Sequence, residues 1–362
     1  MSKRILYIMN VDWNWIKQRP QYLAEELTKY FFVDVVLPIN YRKHNTVKDR
    51  ERQIQLNYWF QLPFGRFSLI RKINNLLIYF YLKTIIRLQD YDVIWMTTPI
   101  YFHVVKKIIL VGQKVIYDCM DDCLEFPLLR GIQEYCHNEK QLIERADHVF
   151  FSANYLKNVI LKRYHICNNI KSTIINNAVV PMWASGENSK KKIDHDEKFH
   201  IAYIGTIAQW FDFELIEKSL EEFSNIQYEF YGPIEKGVSF QHPRVIFHGP
   251  VPHNELMNIM QQADALVMPF KLIPLVLSVN PVKLYEYIAS MKPTICIAYD
   301  ETEIFKDFVY LYHDSSEYIK YIDKLIKGTL NFKRTREEVR LFLNNNTWET
   351  RGKIIREIIK NL

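Results

Sequence analysis

Lys283 and Glu286 lie three positions apart near the start of an apolar segment, "NPVKLYEYIASMKP", residues 280–293. Three residues are close to one helical turn, so a helix here would bring both side chains to one face. An ammonium group beside the positive end of a helix can bind a diphosphate, and a carboxylate one turn further on can accept paired hydrogen bonds from ribose hydroxyls. The pair therefore suggests a nucleotide site. The alternative is that both are solvated helix residues.

Four other segments in the second half of the chain also end short apolar runs: "YIGT", "YGP", "HGPVP" and "MPFK". A glycine directly after a strand lets the backbone approach a ligand closely, and a following helix offers free N–H groups to phosphate. Any one of these glycines could equally be an ordinary turn. Pro281 fits the first turn of a helix. The predicted donor-binding residues are Gly205, Thr206, Gly232, Val251, Lys271, Ser278, Asn280, Pro281, Val282, Lys283 and Glu286.

The first half of the chain carries a group of carboxylates in "VIYDCMDDCLEF", where Asp118, Asp121 and Asp122 follow an apolar run. Clustered carboxylates can raise one another's pKa and so tune a general base. We predict that these three residues are catalytic, with Asp121 as the first choice. The alternative is that they cap the start of a helix.

A second candidate surface in the first half is "VDWNWIKQRPQ", which follows the first predicted strand. Trp13, Asn14, Trp15 and Arg19 are predicted to form a stacking and anion-binding lip for an acceptor sugar or lipid phosphate. The alternative is that Trp15 covers the core and that Arg19 is an exposed residue at the start of a helix.

Short apolar runs alternate with amphipathic helical patterns in both halves, which is typical of parallel sheets built from βαβ units. The sequence therefore predicts two tandem Rossmann-like doubly wound α/β domains. We place the first at 1–183 together with a C-terminal helix at 347–362, a polar linker at 184–198, and a nucleotide-sugar-binding domain at 199–346. Ligands bind at the carboxyl ends of such strands, so we expect a cleft between the domains. Two domains without a cleft are the alternative.

The segment at residues 66–88, "RFSLIRKINNLLIYFYLKTIIRL", predicts a helix with one apolar stripe and basic residues elsewhere. The stripe comprises Leu69, Ile70, Ile73, Leu76, Leu77, Phe80 and Tyr81. Such a stripe is commonly part of a domain core. A basic amphipathic helix can also lie on an anionic membrane surface, which would suit a lipid-linked acceptor.

Composition limits the remaining possibilities. The formal net charge of +6 comes from 47 basic and 41 acidic residues, a balance that does not indicate a nucleic-acid-binding protein. The five cysteines contain no CxxC pair, which argues against a disulfide framework or structural zinc. The apolar run after "MSKR" is too short for a signal-peptide core. We expect a cytoplasmic protein with no metal site and no cofactor.

Two segments resemble GT-B glycosyltransferases, particularly the large bacterial retaining family (family 4/group 1) of capsule, teichuronic-acid and exopolysaccharide synthesis. They are "HGPVPHNELMNIMQQADALVMPF" and "NPVKLYEYIASMKPTI". In this resemblance Glu286 matches the second carboxylate of the family's Glu-x7-Glu motif, which holds the donor ribose. Ser278 occupies the position of the first carboxylate, and Met291 replaces a glycine. The first half is less similar, and the final helix resembles the one that crosses back to the first domain.

The resemblance implies a metal-independent, retaining hexosyltransferase. It would move a sugar from a nucleoside-diphosphate donor to a saccharide or lipid-linked saccharide, with possible attachment at the inner face of the membrane. A nucleotide-sugar epimerase on the same fold and a non-catalytic GT-B scaffold protein are the alternatives. A metal-dependent GT-A transferase that uses "DCMDD" as its metal motif is a weaker rival.

Overall fold

The computed structural model describes residues 2–14, 17–39, 54–65, 67–126, 131–167, 169–180 and 198–362. The chain divides into two compact units, one formed by residues 1–176 and 348–362 and the other by residues 177–347. The division therefore comes after Asn176, seven residues before the predicted end of the first domain. Residues 184–197 of the predicted linker lie outside the described residues.

The first unit contains a seven-stranded sheet in the order β3-β2-β1-β4-β5-β6-β7, and every pairing in it is parallel. Its strands are β1 (Arg4–Ile8), β2 (Phe32–Pro38), β3 (Gln55–Trp59), β4 (Val93–Met96), β5 (Lys114–Cys119), β6 (His148–Phe151) and β7 (Ser172–Ile174). The central strands are buried along almost their whole length, which is why they are continuous apolar runs rather than alternating patterns.

The helices of the first unit are α1 (Arg19–Thr28), α2 (Ser68–Leu88), α3 (Phe102–Val105), α4 (Ile132–Arg145) and α5 (Asn154–Tyr164), with the C-terminal helix α12 (Trp348–Lys360). Helix α12 packs on α1, where the rings of Trp348 and Tyr22 stack with their centroids 5.1 Å apart. The Nε of Arg351 also donates to the carbonyl of Asn176 at 3.1 Å. The predicted return of the last helix to the first domain is confirmed.

The second unit contains a six-stranded parallel sheet in the order β10-β9-β8-β11-β12-β13. Its strands are β8 (Phe199–Ile204), β9 (Ile226–Tyr231), β10 (Val245–Gly249), β11 (Ala265–Met268), β12 (Thr294–Ile297) and β13 (Tyr310–Tyr312). Its helices are α6 (Phe213–Glu222), α7 (Leu256–Gln262), α8 (Pro274–Leu277), α9 (Val282–Ser290), α10 (Ser315–Ile326) and α11 (Arg336–Asn345). The strand order changes direction between β8 and β11, which is the point where ligands bind in doubly wound sheets.

Both predicted doubly wound domains are therefore confirmed, and two edge strands that the sequence did not predict complete the sheets. Strand β3 is mostly polar and partly exposed, and β13 has only three residues. Neither carries the buried apolar run that marks the central strands. Sequence pattern alone is weakest for such short or half-exposed edges.

Candidate functional site

Lys283 is the second residue of helix α9 and lies at the point where the strand order of the second sheet changes. Its Nζ is 5.0 Å from the centroid of the Tyr203 ring, on β8, and 5.0 Å from that of Phe270, which follows β11. The same Nζ donates to the hydroxyl of Tyr203 at 3.2 Å. Because β8 and β11 flank the change in strand order, the ammonium lies where a doubly wound sheet binds its ligand.

The surroundings of Lys283 are apolar enough to change its proton affinity. Desolvation by burial lowers the pKa of its ammonium from 10.5 to about 8, and Glu286 and Cys296 oppose that shift only in part. No carboxylate makes a salt bridge to this ammonium among the residues that the structure describes. A poorly solvated cation held by aromatic rings is ready to bind an incoming anion.

Gly205 leaves the space that Lys283 occupies. A Cβ atom at Gly205 would stand 2.9 Å from the Nζ of Lys283 and 2.8 Å from the Tyr203 hydroxyl oxygen. The φ angle of Gly205 is +148°, and that of Gly232 is +145°, both unfavourable for residues with a side chain. A Cβ at Gly232 would lie 2.1 Å from the carbonyl oxygen of Gly205. Both strand ends thus require glycine for close backbone approach.

Glu286 lies one turn after Lys283 on α9, as the sequence predicted. Its carboxylate is partly buried, with one oxygen 3.4 Å from the Nε2 of His253. The hydrogen bond to Glu286 raises the pKa of His253. His253 belongs to the short 3₁₀ helix His253–Glu255 after β10, so the pair joins the start of α9 to that strand end.

The loop before α9 is buried rather than open. Pro281 is the N-cap residue of α9, one position before the first helical residue, whereas the sequence placed it within the first turn. Ser278 is 1% exposed and its hydroxyl donates to the carbonyl of Leu275 at 2.8 Å. Asn280 is fully buried, accepting a 3.4 Å hydrogen bond from Tyr285, while Val282 is exposed.

The other predicted donor residues are more dispersed. Thr206 accepts a 2.8 Å hydrogen bond from the Tyr203 hydroxyl at its carbonyl oxygen, which places it beside Lys283. Val251 is partly buried against the core of the second unit. Lys271 has its Nζ 3.2 Å from a carboxylate oxygen of Glu214, at the start of α6. The structure therefore brings Gly205, Thr206 and Lys283 together and gives Lys271 a different contact.

In the first unit, Asp118 is a buried partner of Arg19. The guanidinium Nη2 lies 2.7 Å from Asp118 Oδ1, its Nε donates to the same carboxylate, and its Nη1 donates to the carbonyl of Ile175. Arg19 is 5% exposed and Asp118 is 0% exposed. The expectation that Arg19 lies on an exposed lip is wrong, because its donors are used inside the unit. The alternative of an exposed arginine at the helix start is wrong as well.

Asp122 is also engaged in an ion pair. Two nitrogens of Arg163 approach its two oxygens at 2.8 and 2.5 Å, and one oxygen caps the 3₁₀ helix Cys123–Glu125 through the N–H of Leu124. The cap matches the alternative that the sequence left open for these carboxylates. The carboxylate oxygens of Asp118 and Asp122 already accept hydrogen bonds from arginine side chains. Neither carboxylate is therefore well suited to act as a general base.

Asp121 differs from its two neighbours. Within the described part of the chain Asp121 makes no hydrogen bond or ion pair, and it is partly exposed. Loss of hydration around its carboxyl group raises the pKa of that group to about 7; Arg19 lowers the pKa, while Asp118 and Asp122 raise it further. A carboxyl with a pKa near neutrality can accept and release a proton at physiological pH.

Of the remaining lip residues, Trp13 and Asn14 do not form an open stacking surface. Trp13 is 4% exposed and belongs to the core, so it is a core tryptophan rather than a stacking platform. Asn14 is partly exposed, and its N–H donates to a side-chain oxygen of Asp12 at 2.9 Å. Trp15 lies outside the described residues.

Sequence reasoning missed Tyr203, Phe270 and His253 as parts of the site. Tyr203 and Phe270 belong to the strand-end motifs "YIGT" and "MPFK" themselves, which is the sequence signal that could have identified them. Both rings belong to the core of the second unit and also support the lysine.

Within the described ranges, no three His, Cys, Asp or Glu side chains are grouped so that they could hold a metal ion. Across the same residues, no helix has both the length and the apolar character needed to cross a membrane.

No protein-family model matches the chain. Over 227 residues it is 26% identical to TuaH of Bacillus subtilis, named as a teichuronic acid biosynthesis glycosyltransferase, a match that covers 58% of this chain and 57% of the relative. The chain thus matches little more than half the length of that relative.

Solved structures match the whole chain at low identity. Sucrose-phosphate synthase from Thermosynechococcus elongatus has a TM-score of 0.72 and 12% identity, covering 99% of both chains. HepE of Anabaena, in complex with UDP-glucose, has a TM-score of 0.68 and 12% identity, covering 99% of this chain and 100% of that one. The GT-A rival is wrong, because both units are parallel Rossmann-like sheets. The chain has the two-domain GT-B fold, and over part of its length it is similar to a teichuronic acid biosynthesis glycosyltransferase.

Proposed function

We propose that the protein is a glycosyltransferase that moves a sugar from a nucleoside-diphosphate donor to a saccharide or lipid-linked saccharide acceptor in bacterial surface polysaccharide synthesis. The observation that carries the proposal is the ammonium of Lys283. It lies at the change in strand order of the second sheet, against Gly205, with Glu286 one helical turn away. This arrangement supplies one cation for a diphosphate and one carboxylate for a ribose.

In this proposal Lys283 and the N-terminal end of α9 stabilise the negative charge that develops on the leaving diphosphate. Glu286 accepts hydrogen bonds from the ribose hydroxyls, and His253 holds its carboxylate in place. Lys271 contributes further positive charge to the donor. The donor is a substrate, and the reaction uses neither a metal ion nor another cofactor. The acceptor hydroxyl attacks from the face of the sugar on which the diphosphate leaves, so the anomeric configuration is retained.

The first unit binds the acceptor in this proposal. Asp121 orients the acceptor hydroxyl and takes its proton, since its carboxyl is the one of the three that has no ion-pair partner among the described residues. Arg19 and Arg163 hold Asp118 and Asp122, so that the loop carrying Asp121 keeps its conformation.

Ligand binding gives the first test of the donor site. In a thermal-shift screen against uridine, guanosine and thymidine diphosphates and their sugars, one of these ligands is expected to raise the melting temperature, because it binds only the folded state. UDP-glucose is the first donor to try, since HepE binds it. No shift with any of them would favour a non-catalytic GT-B scaffold protein.

Product analysis tests the reaction itself. Donor and acceptor together are expected to give a glycosylated acceptor, with the same rate in excess chelator. Donor alone is expected to remain unchanged; an isomerised sugar nucleotide would identify an epimerase. Loss of transfer in chelator would contradict the metal-independent mechanism.

The proposal also includes a cytoplasmic location with peripheral attachment to the inner face of the cell membrane. A lipid-linked acceptor would be embedded in that surface, so an enzyme attached to it would meet its substrate in two dimensions. Helix α2 is the element of the first unit that suits this attachment.

A further inference from the structure

Helix α2 contacts its own unit through one face. The buried residues of this 21-residue helix are Asn74, Ile78, Leu82 and Ile86, which are spaced four positions apart. That spacing places them in a single row along the helix. Most of the apolar stripe that the sequence predicted lies on a different face and is exposed, so its interpretation as domain core is wrong for those residues. Tyr81 of that stripe does pack against the core.

The opposite face of α2 is apolar and exposed. We use the name outer face for Leu69, Ile73, Leu76, Leu77 and Phe80, which have the i, i+4, i+7, i+8, i+11 spacing of one helical stripe. Leu69, Leu76 and Phe80 are 68%, 56% and 61% exposed. Ile70 and Tyr81, the other members of the predicted stripe, are partly buried. Exposed apolar surfaces of this kind mark interaction sites in proteins.

The segment before α2 carries three exposed aromatic side chains. Phe60, Phe64 and Phe67 are all at least half exposed, and Phe67 is the N-cap residue of the helix. Large aromatic side chains prefer the boundary between water and the acyl chains of a bilayer.

Charge separates the possible occupants of this surface. Residues 54–89 contain no Asp or Glu. On α2, Arg71, Lys72 and Arg87 are exposed, while Lys83 is partly buried with its Nζ 3.2 Å from the Tyr79 hydroxyl. A symmetric contact with a second copy would bring these cations against their own equivalents, because the same patch would face itself. An anionic surface complements them.

We propose that the outer face of α2 docks the protein on an anionic lipid bilayer, with Leu76 and Phe80 entering the headgroup region and Lys72 and Arg87 contacting acidic headgroups. The helix lies on the membrane and does not cross it. The outer face of α2 is thus the surface through which the protein attaches to the membrane, and the purpose of that attachment rests on the proposed function. Binding to lipid and sugar transfer are nevertheless measured separately.

Vesicle sedimentation at low salt tests the proposal on the full chain. Vesicles of phosphatidylcholine with phosphatidylglycerol are expected to sediment the protein, whereas phosphatidylcholine alone is not. The double variant L76S/F80S is expected to weaken binding at least about tenfold, because two apolar side chains no longer enter the bilayer. Leu341→Ser is the matched control, because Leu341 lies on α11 in the other unit and is 61% exposed, as Phe80 is.

A second variant separates charge from apolar contact. Lys72→Gln with Arg87→Gln is expected to weaken binding to anionic vesicles by about fivefold for each residue, and the loss is expected to vanish at high salt. Equal binding of wild type and L76S/F80S would overturn the proposal. So would a stable dimer in sedimentation velocity that L76S/F80S dissociates. A protein that binds vesicles but transfers no sugar would contradict the proposed function and leave the docking surface standing.

Discussion

The Nζ of Lys283 lies 2.9 Å from the position that a Cβ atom on Gly205 would occupy. Lys283 comes from the second residue of α9 and Gly205 from the end of β8, so residues far apart in the sequence share one small volume. The tyrosine hydroxyl of Tyr203 completes the contact. The glycine is therefore part of the same site as the lysine, rather than only a turn.

Gly205→Ala is expected to weaken nucleotide binding about tenfold or more, because the new methyl group displaces the flexible end of Lys283. It is also expected to destabilise the fold by about 1–3 kcal/mol through the strained φ angle. Isothermal titration calorimetry and thermal unfolding measure the two effects. Gly237→Ala is the control: its φ is +96° but nothing lies within 4 Å, so only stability should fall. Equal nucleotide affinity in both variants would contradict this account of Gly205.

Nucleotide affinity is expected to fall as the pH rises through about 8, where the ammonium of Lys283 loses its proton in the free protein. The expected slope is about tenfold per pH unit just above that pKa, until the pKa in the complex is reached. Calorimetry at pH 7, 8 and 9 measures it. Lys283→Met is expected to give a weak affinity that does not change over this range. A wild-type affinity independent of pH would contradict the assignment.

The same shift predicts the stability of the protein without ligand. The pKa of Lys283 is lower in the folded state than the ordinary value of 10.5, so between about pH 8 and 10.5 the unfolded chain binds more protons. This residue's contribution to the free energy of unfolding therefore rises with pH across that interval, and below pH 8 its charge is destabilising. Lys283→Met is expected to raise the melting temperature at pH 7. A lower melting temperature would indicate that the lysine stabilises the fold.

The two neighbouring carboxylates are expected to separate by function. Asp121→Asn should lower the rate of sugar transfer about 10²- to 10⁴-fold, the range for loss of a general base, and leave donor binding unchanged. The variant should also be more stable at pH 7. Because the pKa of Asp121 is raised to about 7 in the folded protein, the contribution of this carboxyl to the free energy of unfolding falls as the pH rises from about 4 to 7.

Asp122→Asn provides the contrast. It removes the charge that pairs with Arg163 and is expected to destabilise the first unit by about 3–5 kcal/mol, the range for breaking a buried ion pair. Initial rates and chemical denaturation of both variants measure the difference. If Asp121→Asn and Asp122→Asn both lost activity in proportion to their loss of stability, the role of Asp121 would be structural and not catalytic.

Arg19→Ala is expected to destabilise the protein by about 3–5 kcal/mol, because it leaves Asp118 buried without its partner. Arg19→Lys should recover only part of this, since one ammonium cannot reach both the Asp118 carboxylate and the Ile175 carbonyl in the geometry of a guanidinium. Denaturant unfolding measures both. If Arg19→Ala were as stable as wild type, the buried ion pair would not stabilise the fold, and the predicted contact of Arg19 with the acceptor would be favoured instead.

The sequence predicted the parts of the fold that depend on local pattern. The alternation of apolar runs and helical stripes gave both sheets, and the proline before Lys283 marked the start of α9 within one residue. Lys283 and Glu286 lie on one helix, so their spacing alone placed them near each other.

Long-range pairings could not be predicted in this way. Arg19 and Asp118 are separated by 99 positions, and nothing near either residue indicates that they meet in a buried pair. The prediction of which face of α2 is buried failed for another reason. Two faces of this helix are apolar, and periodicity does not tell which one packs on the rest of the unit. The row through Ile78 packs inward, whereas the row through Leu76 does not.

The most direct test of the donor site is calorimetric titration of uridine diphosphate into wild type, Lys283→Met, Glu286→Gln and the control Lys292→Met, whose lysine follows the other end of α9. The account predicts measurable wild-type binding, a loss of about 10- to 100-fold in each of the first two variants, and wild-type affinity in the control. Binding as tight in Lys283→Met as in wild type would contradict it.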